Sequence, residues 1–108
     1  MAEMTESQIR HLKGLAERAH EKELTFELTR LYGKFEKWRE DKLSLWELNE
    51  ILRQFHNDTA SEIYKTYVLV NDPRNAVAKA IVNNILTLAE VDEDCRPLLE
   101  SIIAFYRD

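Results

Sequence analysis

The chain has 108 residues, 44% of them hydrophobic and 32% charged, with a formal net charge of −5 and a pI near 5.2. That size and balance suit one folded domain over residues 1–108, and they exclude a disordered chain and a membrane-embedded one. An acidic chain without a Lys/Arg stripe is a poor polyanion binder, so no nucleic-acid partner is expected.

The excess charge is local. Residues 1–42 carry nine acidic and nine basic side chains, whereas 43–108 carry eleven and six. Only two Gly and two Pro are present. Sheet proteins need turn residues often, so the expected class is all-α, a compact helical bundle of four to six helices. Cys95 is the single cysteine, which leaves no internal disulfide and no Cys-based zinc site. The longest uncharged run, Ala80 to Ala89, is about half the length of a membrane span. Met1 to Glu6 is polar and lacks an apolar signal region. The expected location is cytoplasmic, without a membrane partner.

The first segment, Thr5 to Arg39, carries two apolar stripes at helical spacing. One is Ile9, Leu12, Ala16 and Ala19; the other is Leu24, Leu28, Leu31, Phe35 and Trp38. They are out of phase, so either the helix bends near residues 20–23 or its halves pack on different neighbours. A straight helix of that length reaches about 50 Å, longer than the roughly 35 Å span of a compact domain of this size. Gly33 either permits a close helix approach or simply weakens the helix.

Ser44-Leu45-Trp46-Glu47 reads as a capping box that opens the next helix, with Leu45, Leu48, Leu52 and Phe55 on its buried face. The polar run His56-Asn57-Asp58-Thr59 interrupts it. Thr59-Ala60-Ser61-Glu62 reads as a second capping box, starting a new helix with Ile63, Tyr64, Tyr67 and Val70; the alternative is one helix that runs through with a kink. Asn71-Asp72-Pro73 is a boundary, with Asp72 at the N-cap and Pro73 at the first helical position. Residues 73–90 are apolar on most sides and read as the central buried helix of the bundle, with Asn84 on its buried stripe. The acidic turn Asp92-Glu93-Asp94 complements the dipole of a last helix from Pro97, whose Leu98, Leu99, Ile102, Ile103, Phe105 and Tyr106 are expected to face inward.

Chemistry-bearing patterns are sparse. There is no Gly-rich phosphate loop, no nucleophile elbow and no Cys–His pairing, so no cofactor or metal is expected and no catalytic residue is assigned. His11 and His20 are nine apart, which is not a ligand spacing on a helix, and both read as surface residues. His56, beside Asn57 and Asp58, reads either as a helix-end cap or as part of a polar site. Glu47 and Glu50 share a helix face as an E-x-x-E pair, but the second acidic pair of a Mg²⁺ site is missing. Glu47, Glu50, His56 and Asp58 form the candidate polar site. Cys95 beside Arg96 near a helix start reads as a passive thiol, the alternative being a thiol of lowered pKa. Trp38 and Trp46 flank the polar loop and either pack together in the core or anchor an interface.

Leu45-Trp46-Glu47-Leu48 followed by Phe55-His56-Asn57, with the Ile102–Tyr106 tail, resembles a group of small uncharacterised bacterial cytosolic helical proteins. The resemblance implies a helical cytosolic protein and carries no activity. The leading expectation is a non-catalytic interaction or regulatory protein that self-associates as a homodimer or binds a protein partner. Its candidate interface is Leu24, Leu28, Leu31, Phe35, Trp38 and Trp46. A metal-dependent enzyme or metal-binding protein at the polar site is one alternative. An acidic antitoxin- or immunity-like neutraliser of a basic partner is the other.

Overall fold

The computed structural model describes residues 4–69 and 72–107. Val70 and Asn71, assigned above to the end of one helix and to a boundary, lie outside the described residues, as do residues 1–3 and Asp108. Among the described residues the chain is helix and turn with no strand. Five α-helical segments follow in order: α1 (Glu6–Arg39), α2 (Leu45–Gln54), α3 (Ala60–Tyr67), α4 (Pro73–Val82) and α5 (Arg96–Arg107). A π turn, Phe55–Thr59, joins α2 to α3 without a break, and a 3₁₀ turn, Leu88–Glu90, precedes α5.

Helix α1 is continuous over 34 residues, so the bend near residues 20–23 does not occur. Its start is set by a reciprocal cap between Thr5 and Gln8. The Thr5 hydroxyl accepts from the Gln8 backbone N–H at 3.1 Å, and the Thr5 N–H donates to the Gln8 side chain at 2.9 Å. Its end is set by Asp41, held at φ 61°. The Lys42 N–H donates to the Lys37 carbonyl and the Asp41 N–H to that of Trp38, the paired bonds of a left-handed helix stop.

Only the first half of α1 enters the core. Leu12, Leu15, Ala16 and Ala19 are buried with Ala76, Val77 and Ala80 of α4 and Leu99 and Ile103 of α5. The second half leaves with α2 as a two-helix arm. The molecule is therefore elongated rather than compact: its radius of gyration is 17.2 Å and its extents are 57 × 27 × 23 Å, against about 13 Å of gyration for a compact chain this long.

Helix α4 begins as the sequence implies. Asp72 accepts from the Arg74 N–H at 3.0 Å, and Pro73 occupies the first turn. It ends at Val82, well short of residue 90. The reason is Asn84, which adopts φ 62° while the Ile85 N–H donates to the Ala80 carbonyl and the Asn84 N–H to that of Ile81. Asn84 is thus an exposed left-handed helix stop and does not lie on a buried stripe. The apolar residues beyond it serve the core from a loop: Leu86 and Val91 are buried and Ile85 is partly so. Helix α5 buries Leu99 and Ile103 and half-buries Leu98, Ile102 and Tyr106. Phe105, expected inward, points to solvent.

The rod from α2 to α3 explains itself by spacing. Leu48, Ile51, Leu52 and Phe55 recur by threes and ones on one helix face, and Ala60, Ile63 and Tyr67 recur by three and four. The step between the groups, Phe55 to Ala60, is five. A regular helix would turn the second group away by about 100°. The π turn absorbs the extra residue, with the Ala60 N–H donating to the Phe55 carbonyl, so both groups face α1. Thr59 sits at helical φ −64° and ψ −56° with no side-chain cap, so the second capping box does not form.

Gly14 and Gly33 both lie inside α1, and a Cβ at either meets nothing within 4 Å. No close helix approach explains Gly33. Gly14→Ala and Gly33→Ala should each raise unfolding stability by about 1 kcal/mol; a loss at either site in urea titration would show a constraint that the geometry lacks. The Asp72 carboxylate also takes the Arg74 guanidinium, which holds its pKa below the usual range. A depressed folded value means stability present above the unfolded pKa, near pH 4, and lost as pH falls through the lower folded one. Asp72→Ala should therefore cost about 1 kcal/mol near neutrality, with the gap to the parent narrowing below about pH 4. Melting curves at both pH values check it.

Candidate interaction surface

The arm meets the globule where α3 crosses α1. The His20 and Tyr64 rings pack edge-on there at 6.3 Å. Beside them Tyr67 is buried, and its hydroxyl has no hydrogen-bond partner. Burial first, and the nearby Glu23 carboxylate second, push this phenol well above the usual tyrosine range, so it stays protonated. His11 makes the other contact of note. Its Nε2 accepts from the Asp92 backbone N–H at 3.0 Å, which places the ring proton on Nδ1. Helix α1 grips the rest of the 85–94 segment with polar side chains. Gln8 donates to the Asp94 carbonyl at 3.0 Å, and Arg18 and Lys22 reach the Glu90 carboxylate at 3.3 and 3.7 Å. The Thr87 backbone N–H donates to Glu90 as well and is the main reason its carboxyl lies below the usual range.

The four residues of the candidate polar site are all exposed and lie along α2 and the π turn. Glu50 is engaged by Arg53 at 2.7 and 2.8 Å. Ser44 caps α2 by accepting from the Glu47 N–H at 3.0 Å, while the Glu47 side chain remains in solvent. His56 lies within a continuous helical rod, so it is not a helix-end cap. Among the described residues no three His, Cys, Asp or Glu side chains converge as a metal-holding group. Cys95 is buried, and burial followed by Asp94 raises its thiol pKa, the opposite of activation.

The arm presents two different long faces. On one, Glu27, Arg30, Lys34, Ile51, Phe55 and Thr59 line a shallow groove of about 240 Å³, below the roughly 300 Å³ of ordinary ligand pockets. The other is apolar. Leu28 follows Glu27, Phe35 follows Lys34 and Leu52 follows Ile51, each about 100° around its helix and so on the side away from the groove. Leu45 lies two turns before Leu52 on the same edge. Leu28 is 47% exposed and Leu45 55%. Tyr32, next to Leu28, is 67% exposed.

Of the six candidate interface residues, Leu28, Trp38 and Trp46 are exposed and Leu24, Leu31 and Phe35 half-buried. Leu24 leans on the core and Leu31 on the groove. Neither tryptophan is in a core: Trp46 is 77% exposed at the tip of the arm, which corrects the packed-pair reading. Leu45, assigned above to the buried face of α2, is exposed and joins the outer strip, with Leu52 half-buried at its margin; the helical phase of Leu48 against Leu45 carries that signal. Tyr67, assigned above to the apolar face of its helix, forms the joint of arm and globule with Glu23 beside it.

Removing the unpartnered hydroxyl by Tyr67→Phe should leave stability unchanged or raise it by up to about 1 kcal/mol. A loss of that size on denaturation would mean that Glu23 bonds the phenol. Comparison with protein-family models, with curated proteins and with solved structures finds no match to this chain.

Proposed function

We propose that the chain is a non-catalytic protein-interaction module that self-associates through its arm. One observation carries this reading: a two-helix extension leaves the globule with Leu28, Tyr32 and Leu45 exposed and Phe35 and Leu52 half-buried along one face. An exposed strip of Leu, Phe and Tyr flanked by charged residues is the usual mark of an association surface. Trp38 and Trp46 at the tip add the residue type most enriched among interface anchors. The charge of α1 supports it as well, because nine acids against nine bases over residues 1–42 keep the exposed arm soluble without repelling a like copy. The commitment of Glu50 to Arg53 favours a structural role for the acidic side chains of α2 over metal binding. The reading includes a bacterial, cytoplasmic setting, where a neutral buried thiol such as Cys95 stays reduced.

Sedimentation equilibrium at micromolar concentration tests the proposal. The expected mass is twice 12.8 kDa. Leu28→Glu with Phe35→Glu should return it to the monomer while leaving helicity intact, whereas Leu12→Glu should unfold the globule because Leu12 is fully buried. A parent protein that remains at 12.8 kDa overturns the proposal.

A further inference from the structure

We propose that the two copies lie antiparallel along α1, about a two-fold axis that crosses near Arg30, so that Glu21 of each copy meets Arg39 of the other. This inference rests on the self-association reading and specifies its geometry.

Glu21 and Arg39 are exposed, and among the described residues neither has an ion-pair partner. They are 18 residues apart, which is five full helical turns, so they share one edge of α1 about 27 Å apart. Leu28 and Tyr32 lie on that same edge between them. The order along the edge is therefore acid, apolar, apolar, base. A two-fold axis through residue 30 relates each position to its mirror in number. It sets Glu21 against Arg39, Thr25 against Phe35 and Leu28 against Tyr32. A parallel arrangement would instead set Glu21 against Glu21 and Arg39 against Arg39, and like charges across an interface disfavour association. The edge is self-complementary in one orientation only, which identifies a second copy of this chain as the occupant.

Size and access agree. From Leu24 to Arg39 the arm runs about 24 Å, and two helices side by side span about 20 Å. The flat face is about 500 Å² per copy, or about 1,000 Å² for the pair, which reaches the threshold of a specific interface. Helices α4 and α5 pack on the side of α1 that carries Leu12, Leu15, Ala16 and Ala19. Glu17 and Glu21 are exposed on the edge that carries Leu28 and Tyr32, so the tip of a partner arm meets open surface there.

Charge reversal tests the orientation. Glu21→Arg alone and Arg39→Glu alone should each weaken the dimer on the order of tenfold, since each makes both end pairs repulsive. An equimolar mixture of the two variants should recover the parent affinity as a heterodimer, because each chain then faces opposite charges at both ends. The doubly substituted chain, Glu21→Arg with Arg39→Glu, should dimerise like the parent and serves as the test if either single variant loses helicity by circular dichroism. Single variants that bind like the parent, or a mixture and a double variant that stay weak, overturn the antiparallel pairing. If Leu28→Glu still dissociates the parent dimer in that case, self-association stands and only its geometry fails. A parent that stays monomeric overturns both.

Discussion

The structure depends on four side chains of α1. Leu12, Leu15, Ala16 and Ala19 are buried against an α4 that offers mostly alanine and valine. Small side chains on both helices let the axes approach, so a short contact excludes water well. The apolar contact is edged by polar side chains of the same helix, from Gln8 to Lys22, that hold the 85–94 loop by its carbonyls and carboxylates. That loop in turn delivers Leu86 and Val91 to the core. Without the first half of α1, α4 keeps only α5 and α3 as neighbours, and the loop loses the polar side chains that hold it.

The arm follows from the same contact. Helix extension adds one hydrogen bond for each residue it orders, and α1 meets no proline before Asp41. Once its first half is anchored, its second half is carried past the globule and needs support of its own. The α2–α3 rod supplies that support, and the π turn keeps it in phase. Phe55 and Leu48 face the outer half of α1, while Ile63 and Tyr67 reach the core. A single extra residue between Phe55 and Ala60 thus lets one rod serve both the globule and the arm.

The candidate site was legible in part. The strip Leu24, Leu28, Leu31, Phe35 could be read from spacing, and so could its mismatch with Leu12 and Ala16. Which members stay exposed could not, because periodicity shows that a face is apolar and not what covers it. Leu45 shares the spacing of the buried face and is nonetheless exposed, for the same reason. Trp38 and Trp46 invite pairing by proximity in sequence, yet the helix stop at Asp41 sends them along separate helices. The polar run from His56 to Thr59 looked like a break between elements. In a π turn it is a continuous helix with one residue too many, and the five-residue step from Phe55 to Ala60 was the available signal.

What the sequence alone determined is local. The scarcity of glycine and proline, the stripes at threes and fours, the Ser44 cap and the Asp72-Pro73 start each act within a few residues, so helices and most of their beginnings follow directly. The ends of α1 and α4 are local too, but they rest on Asp41 and Asn84 taking left-handed conformations that those residues adopt only by choice. Tertiary structure decided the rest. Whether α1 bends, whether α4 runs on through Ile85 and Leu86, and whether Phe105 turns inward all depend on which apolar surfaces find a partner. That choice is made by the whole core at once. Burial is a property of two surfaces meeting, and one chain segment carries only one of them.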